Sequence, residues 1–209
     1  MFFSTCITLR NKFIILITEN GIVKKTSLAA YSRPRQGGII GLTIDEGDRL
    51  IAARLSDGTK DLLLTTRNGM SIRFKEEGVR AIGRTGRGVI GIKLREKDQV
   101  VGAEIVESNK TVLIVTETGL GKRTPVEDYP LQGRGGYGVI TLKSNKKTGS
   151  LVGIRQVSDG DEILIISSDG NIIRIEAEDI SVIGRNTQGI RLVVLKDSNK
   201  VVSFEKLVE

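Results

Sequence analysis

Four segments of this 209-residue chain are versions of one another: IILITENGIVKKTSL from Ile14, LLLTTRNGMSIRFKE from Leu62, VLIVTETGLGKRTPV from Val112 and ILIISSDGNIIRIEA from Ile163. A unit of this size cannot bury its apolar faces alone, so repeats must stack on their neighbours. Each segment has a short β-branched and Leu-rich run, a polar turn ending in glycine, and a second alternating run, which is the pattern of a β-hairpin. Asn20-Gly21, Asn68-Gly69 and Asp169-Gly170 are turn pairs that tolerate positive φ, and Thr118-Gly119 is a weaker form. A third apolar block follows each hairpin: GIIGLTI from Gly38, GVIGIKL from Gly88, GVITLKS from Gly138 and GIRLVVL from Gly189. After a turn, usually acidic, comes a fourth run: RLIAARL, QVVGAEIV, SLVGIRQV and KVVSFEKL. Four short runs in about fifty residues is the arithmetic of a propeller blade. The expectation is an all-β, propeller-like array of four-stranded antiparallel blades, a disc or an open arc, over residues 13–57, 61–107, 111–158 and 162–207. Residues 1–12 match the repeat poorly, and no long stretch has helical periodicity with caps.

Composition narrows the chemistry. There are 25 glycines, 3 prolines, and neither Trp nor His. Without histidine, Ser-His-Asp and Cys-His arrangements and His-ligated zinc are excluded. The carboxylates at Asp45, Glu46 and Asp48, and at Asp159, Asp161 and Glu162, sit where turns favour Asp, and read as solvated turn residues. The run from Phe13 to Ile17 is too short for a membrane span or a secretory leader and reads as a strand. A single cysteine, Cys6, forms no internal disulfide, which fits a cytoplasmic protein. GRGGYG, Gly133 to Gly138, matches G-x-G-x-x-G, but a dinucleotide site needs a helix after the glycines, and here a strand, VITLK, follows. GRGVIG, from Gly86, repeats the match one unit earlier, so the glycines belong to the repeat. No metal, cofactor, small-molecule substrate or membrane partner is expected.

The cations keep the register of the repeat. Lys25, Arg73, Arg123 and Arg174 stand four residues after the hairpin glycines. Arg84, Arg134 and Arg185 stand fifteen after the last three, and Arg35 stands fourteen after the first. Lys24, Arg33, Arg87 and Lys122 lie beside them. Equivalent positions in stacked repeats face the same way, so the expectation is one positive belt, and the formal net charge of +7 points to a polyanion. Only 4% of residues are aromatic, too few for base-stacking platforms, which favours phosphate contacts along duplex DNA without sequence readout. The alternative is a propeller-like protein-interaction scaffold whose edge charges keep strands from pairing with other molecules.

ENGIVKKTSL, VRAIGRTGRGVIGIKL, TETGLGKRTPVEDYPLQGRGGYGVITLK, LVGIRQV and ISVIGRNTQGIRLVVL resemble successive blades of the C-terminal domain of DNA gyrase A and of its topoisomerase IV counterpart. The resemblance runs from about Phe13 to Glu209. It implies a β-pinwheel with strands exchanged between blades and a basic perimeter that wraps duplex DNA. It further implies a non-catalytic accessory role in supercoiling, beside the rest of gyrase A and gyrase B, on the nucleoid. Members of that family usually have six blades, and the four legible here resemble the last four. The family's box, of the type Q-[RK]-R-G-G-[RK]-G, has a degenerate counterpart in Gln132, Gly133, Arg134, Gly135, Gly136, Tyr137 and Gly138, with Gly133 and Tyr137 at basic positions. None of Tyr31, Tyr129 and Tyr137 matches the family's cleavage tyrosine, so no strand cleavage by this chain is implied.

Overall fold

The computed structural model describes residues 12–33, 36–196 and 198–207. The first twelve residues, apart from Lys12, and Arg35 lie outside them. Within the described residues every regular element is a strand or a short 3-10 turn. Each repeat begins with the hairpin read from its sequence: β1 (Phe13–Thr18) with β2 (Ile22–Ser27), and further on β4 (Asp61–Thr66) with β5 (Met70–Lys75). Between these pairs, β3 (Leu50–Ser56) closes the first repeat on the free side of β1. The second repeat continues with β6 (Val89–Ile90) and β7 (Val100–Val106). The third has β8 (Thr111–Thr116), β9 (Leu120–Pro125), β10 (Leu131–Gln132), β11 (Val139–Ile140) and β12 (Leu151–Val157). The fourth has β13 (Glu162–Ser167), β14 (Ile172–Glu176), β15 (Ile190–Arg191) and β16 (Val201–Lys206).

The third apolar block of each repeat does not join its own hairpin. β6 pairs with β2, β11 with β5 and β15 with β9, so each later repeat donates two residues to the outer strand of the blade before it. The sheets therefore run β3-β1-β2-β6, β7-β4-β5 with both β10 and β11 on β5, β12-β8-β9-β15, and β16-β13-β14. The last has three strands.

The exchange register is the same each time. The residue after the loop glycine faces the second residue after the hairpin glycine: Val89 with Val23, Val139 with Ser71, Ile190 with Gly121. Two residues on, the amides of Gly91, Thr141 and Leu192 donate to the carbonyls of Gly21, Gly69 and Gly119 at 2.8 to 2.9 Å. Such close crossing explains the glycines. A Cβ on Gly138, whose φ is 74°, would lie 2.2 Å from Ser71 O.

At the other edge, the closing strands β3, β7, β12 and β16 pack on one another in order. Leu50, Val100, Leu151 and Val201 from these strands line one open pocket together with Glu19, Arg67 and Glu117. Between blades the amides of Val100, Leu151 and Val201 donate to the carbonyls of Glu19, Arg67 and Glu117. One position on the four closing strands alternates in sign: Arg54, Glu104, Arg155 and Glu205. Arg54 Nη2 is 2.8 Å from Glu104 Oε1, Arg155 Nη1 is 3.4 Å from the same oxygen, and Arg155 also pairs with Glu205. Apolar clusters fill the blade interfaces, such as Ile15, Leu62, Phe74 and Ala103 between the first two blades and Leu113, Ile163, Ile180 and Phe204 between the last two.

Gly138→Ala is expected to lose about 3 kcal/mol, from a left-handed φ and an overlap with backbone that cannot move aside. Gly38→Ala, at φ 79° with no atom within 4 Å of the added Cβ, is expected to lose only the roughly 1 kcal/mol of left-handed strain. Urea denaturation of the two variants measures the difference, which belongs to the exchange contact.

Candidate nucleic-acid interface

The outer loops run from each hairpin to the strand donated to the preceding blade. Each opens with a 3-10 turn: Leu28–Tyr31, Glu76–Gly78, Val126–Asp128 and Ala177–Asp179. In the last three, the residue after the turn, Val79, Tyr129 or Ile180, is buried and anchors the loop. The Tyr129 hydroxyl is 2.6 Å from Thr141 Oγ1, and burial pushes its pKa up to about 12. In the last three repeats the loop then carries one arginine to the same place. Arg84 Nη1 donates to Ile40 O at 3.3 Å, Arg134 Nη1 to Ile90 O at 3.1 Å, and Arg185 Nη1 to Ile140 O at 2.8 Å. The accepting carbonyls are themselves repeat equivalents, on the block that carries the donated strands. Arg134 also donates from Nε to Gly78 O at 2.7 Å. A guanidinium has five N–H donors, so one or two bonds fix its direction and leave the rest for an anion.

Two lysines hold these loops from behind. The fully buried Lys24 donates to Gly41 O at 2.8 Å and to the carbonyl of Arg84. Lys122, equally buried, donates to Gly184 O at 2.7 Å, to Thr187 Oγ1 at 2.9 Å and to the carbonyl of Arg185. Burial lowers the Lys24 pKa, with the Arg84 charge second. Burial, with the Arg185 charge second, lowers that of Lys122 to about 8.

The expected belt of hairpin cations is corrected by the structure. Lys25 Nζ lies 3.0 Å from the fully buried Glu76 and 4.5 Å from the centre of the Phe13 ring. Arg73 pairs with Asp61 at 2.8 Å and donates to Val126 O. Arg123 pairs with Asp159 at 2.5 Å and donates to Ile180 O. Arg174 pairs with Glu162. All four are held by carboxylates within the molecule, and the first three also brace the turn of the next blade. Lys24 and Lys122 are taken up differently: their ammonium groups face backbone oxygens inside the fold, and that of Lys122 also faces Thr187 Oγ1. Arg33 is exposed, and Arg87 is exposed but paired with Asp45.

The box-like loop serves the exchange. Gln132 pairs in parallel with Phe74, the Gly135 amide donates to Gly91 O at 2.6 Å, and Gly136 O accepts from Lys93 N at 2.8 Å. Gly133 is exposed and open, and Gly138 makes the close crossing with Ser71. Tyr137 is exposed, with Lys93 Nζ 5.1 Å and the Arg95 guanidinium 6.0 Å from its ring centre. These two cations from the preceding repeat were missed in the sequence. Lys143 repeats Lys93 one unit later, a spacing that could have found Lys93, whereas Arg95 corresponds to Asn145 and had no such signal. Among the described residues no group of three or more Cys, Asp or Glu is placed to hold a metal ion, and no helix is long and apolar enough to cross a membrane.

Strand-exchanged blades with an arginine at one outer-loop position define a propeller-like repeat protein of the β-pinwheel type. The pattern of the family described as "DNA gyrase C-terminal domain, beta-propeller" matches residues 12–57, 60–107, 110–158 and 161–207, and the chain belongs to that family. The DNA gyrase A protein of Buchnera aphidicola is 55% identical over 199 residues, covering 95% of this chain and 24% of that protein. That of Pseudomonas aeruginosa is 43% identical over 197 residues, covering 94% and 21%. The chain thus spans about a fifth to a quarter of these relatives. Among solved structures, the C-terminal domain of a DNA topoisomerase IV superposes with a TM-score of 0.90 at 27% identity, covering 94% of this chain and 62% of the other. A DNA gyrase A C-terminal domain superposes with 0.86 at 29%, covering 95% and 67%.

Lys122 provides a pH test of the loop anchor. Above pH 8 the folded chain gives up the Lys122 proton while the unfolded chain keeps it to about 10.5. The unfolded state then binds more protons, so this residue makes stability rise with pH across that window. Lys122→Met is expected to remove that part of the rise, seen by comparing denaturant midpoints of the two proteins at pH 7.5 and 10.

Proposed function

We propose that this chain binds duplex DNA without sequence preference along its outer loops, and bends it there, as the accessory domain of a gyrase A-like topoisomerase. The reading rests on one observation above the others. Arg84, Arg134 and Arg185 recur at one place in consecutive blades, each steered by a backbone carbonyl and each with donors to spare. Phosphate recognition needs such oriented, always-charged forks, and their repetition suits a repeating backbone. Arg33 adds positive charge on the first of these loops, and Lys93 and Arg95 add it beside Tyr137 on the third. Bending a duplex of 20–30 base pairs costs on the order of 1–6 kcal/mol, which several phosphate contacts can offset. The membership of the gyrase family supports the same role and brings in its partners: the remainder of gyrase A together with gyrase B, acting on nucleoid DNA in a bacterial cytoplasm. Strand cleavage is assigned to those partners and not to this chain.

Fluorescence anisotropy with a duplex at several salt concentrations tests the binding. Three phosphate contacts alone give a slope of log K against log salt near −3. The triple variant Arg84→Gln, Arg134→Gln, Arg185→Gln is expected to flatten the wild-type slope by about 3, for every duplex sequence alike. A wild-type slope near zero overturns the reading. Bending is read separately, as a change of linking number when relaxed circular DNA is closed in the presence of the protein.

A further inference from the structure

Beside the arginines of the outer loops, the outer edge carries an apolar residue of the same period. Ile40, Ile90, Ile140 and Ile190 each stand at one place in the repeat. Ile90 and Ile140 lie at junctions with described blades on both sides, and they remain 53% and 43% exposed. Each sits on a donated strand with an apolar residue directly opposite, Ile22 for Ile90 and Met70 for Ile140. Ile22 and Met70 are half-buried, so each junction shows solvent a small apolar platform. Single exposed aliphatic side chains are ordinary on a protein surface, but recurrence at one outer position is not. The strand does not require isoleucine there, since threonine also favours strands and leaves less apolar surface in water.

The platforms adjoin the cations. Arg134 Nη1 donates to the carbonyl of Ile90 at 3.1 Å, and Arg185 Nη1 to that of Ile140 at 2.8 Å. A Cβ placed on Gly135, the residue after Arg134, would lie 3.8 Å from Ile90 Cγ2, so the loop that carries the arginine runs beside the isoleucine. Guanidinium and aliphatic side chain thus form one unit, repeated from one junction to the next. Phosphates and sugars alternate along a nucleic-acid strand in the same way. An isoleucine partly covered by its own strand does not reach the base stack, but it can lie on a sugar beside the phosphate that the arginine holds.

We propose that Ile90 and Ile140 pack on deoxyribose rings of the bound duplex, next to the phosphates held by Arg134 and Arg185, and that they select DNA over RNA. This rests on the duplex-binding reading above. In RNA a 2′-hydroxyl is displayed in the wide minor groove, and an aliphatic side chain pressed on it removes its water without offering a hydrogen bond. A guanidinium meets the phosphates of either polymer, so the choice of sugar falls to the isoleucines.

Anisotropy titrations with one sequence, prepared as a DNA duplex and as an RNA duplex, test this. Ile90→Thr with Ile140→Thr keeps β-branched strand residues and is expected to weaken DNA binding about ten-fold, since a methylene contact is worth about four-fold. The slope of log K against log salt is expected to match that of the unaltered chain, because no phosphate contact is lost. On the RNA duplex the same variant is expected to stay within about two-fold of the unaltered chain. Leu55→Thr, at an exposed position of the closing strand β3, is expected to change neither affinity. Unchanged DNA affinity in the double variant, an equal loss on DNA and RNA, a flattened slope, or a comparable loss from Leu55→Thr overturns the inference and leaves the duplex-binding reading standing. Absence of duplex binding by the unaltered chain overturns both. If urea denaturation shows the double variant unfolded, Ile90→Val with Ile140→Val takes its place, with about a four-fold loss expected on DNA alone.

Discussion

The carbonyls of three hairpin glycines, Gly21, Gly69 and Gly119, each accept an amide from the following repeat, and this backbone bond sets the spacing of the molecule. It works only where two main chains approach without side chains between them. The glycines on either side of the crossing are therefore not loop filler. Once the donated strand is seated, the loop that leads to it is stretched across the outer face of the next blade, and its arginine comes to rest on the carbonyl of the neighbouring donated block. The position of a solvent-facing guanidinium is thus a consequence of a strand pairing.

Two sets of cations with the same period came to different ends. Four residues after the hairpin glycine, the side chains of Lys25, Arg73 and Arg123 leave the outer hairpin strand where the next blade packs, a place with little water. A charge there needs a partner, and each has one: Glu76, Asp61 or Asp159, while the more exposed Arg174 pairs with Glu162. Fifteen residues after the glycine, the chain has left the interface and the arginine keeps free donors. Lys24 and Lys122 link the sets, since their buried ammonium groups hold the loops from which Arg84 and Arg185 extend.

The hairpins, their turn glycines and the all-β repeat were readable because each depends on residues adjacent in sequence: alternation for the strands, Asn-Gly and Asp-Gly for the turns. β1 begins at Phe13 as its apolar run suggested. The donated strands were legible as apolar blocks but not as donations, since a two-residue strand such as Val89–Ile90 pairs equally well, by pattern, with either hairpin. The role of Tyr137 was also hidden. Its cations, Lys93 and Arg95, come from more than forty residues earlier, and the exchange brings them to its ring.

Sequence alone determined the number of repeats, the β class, the exclusion of histidine chemistry and the spacing of the cations, because periodicity along the chain is written in local residue choice. Only the tertiary structure decided which cations are held by carboxylates and which keep free donors. Availability depends on whether a carboxylate or a carbonyl from another blade reaches the charge first, and that is a matter of distance in space between residues far apart in the chain.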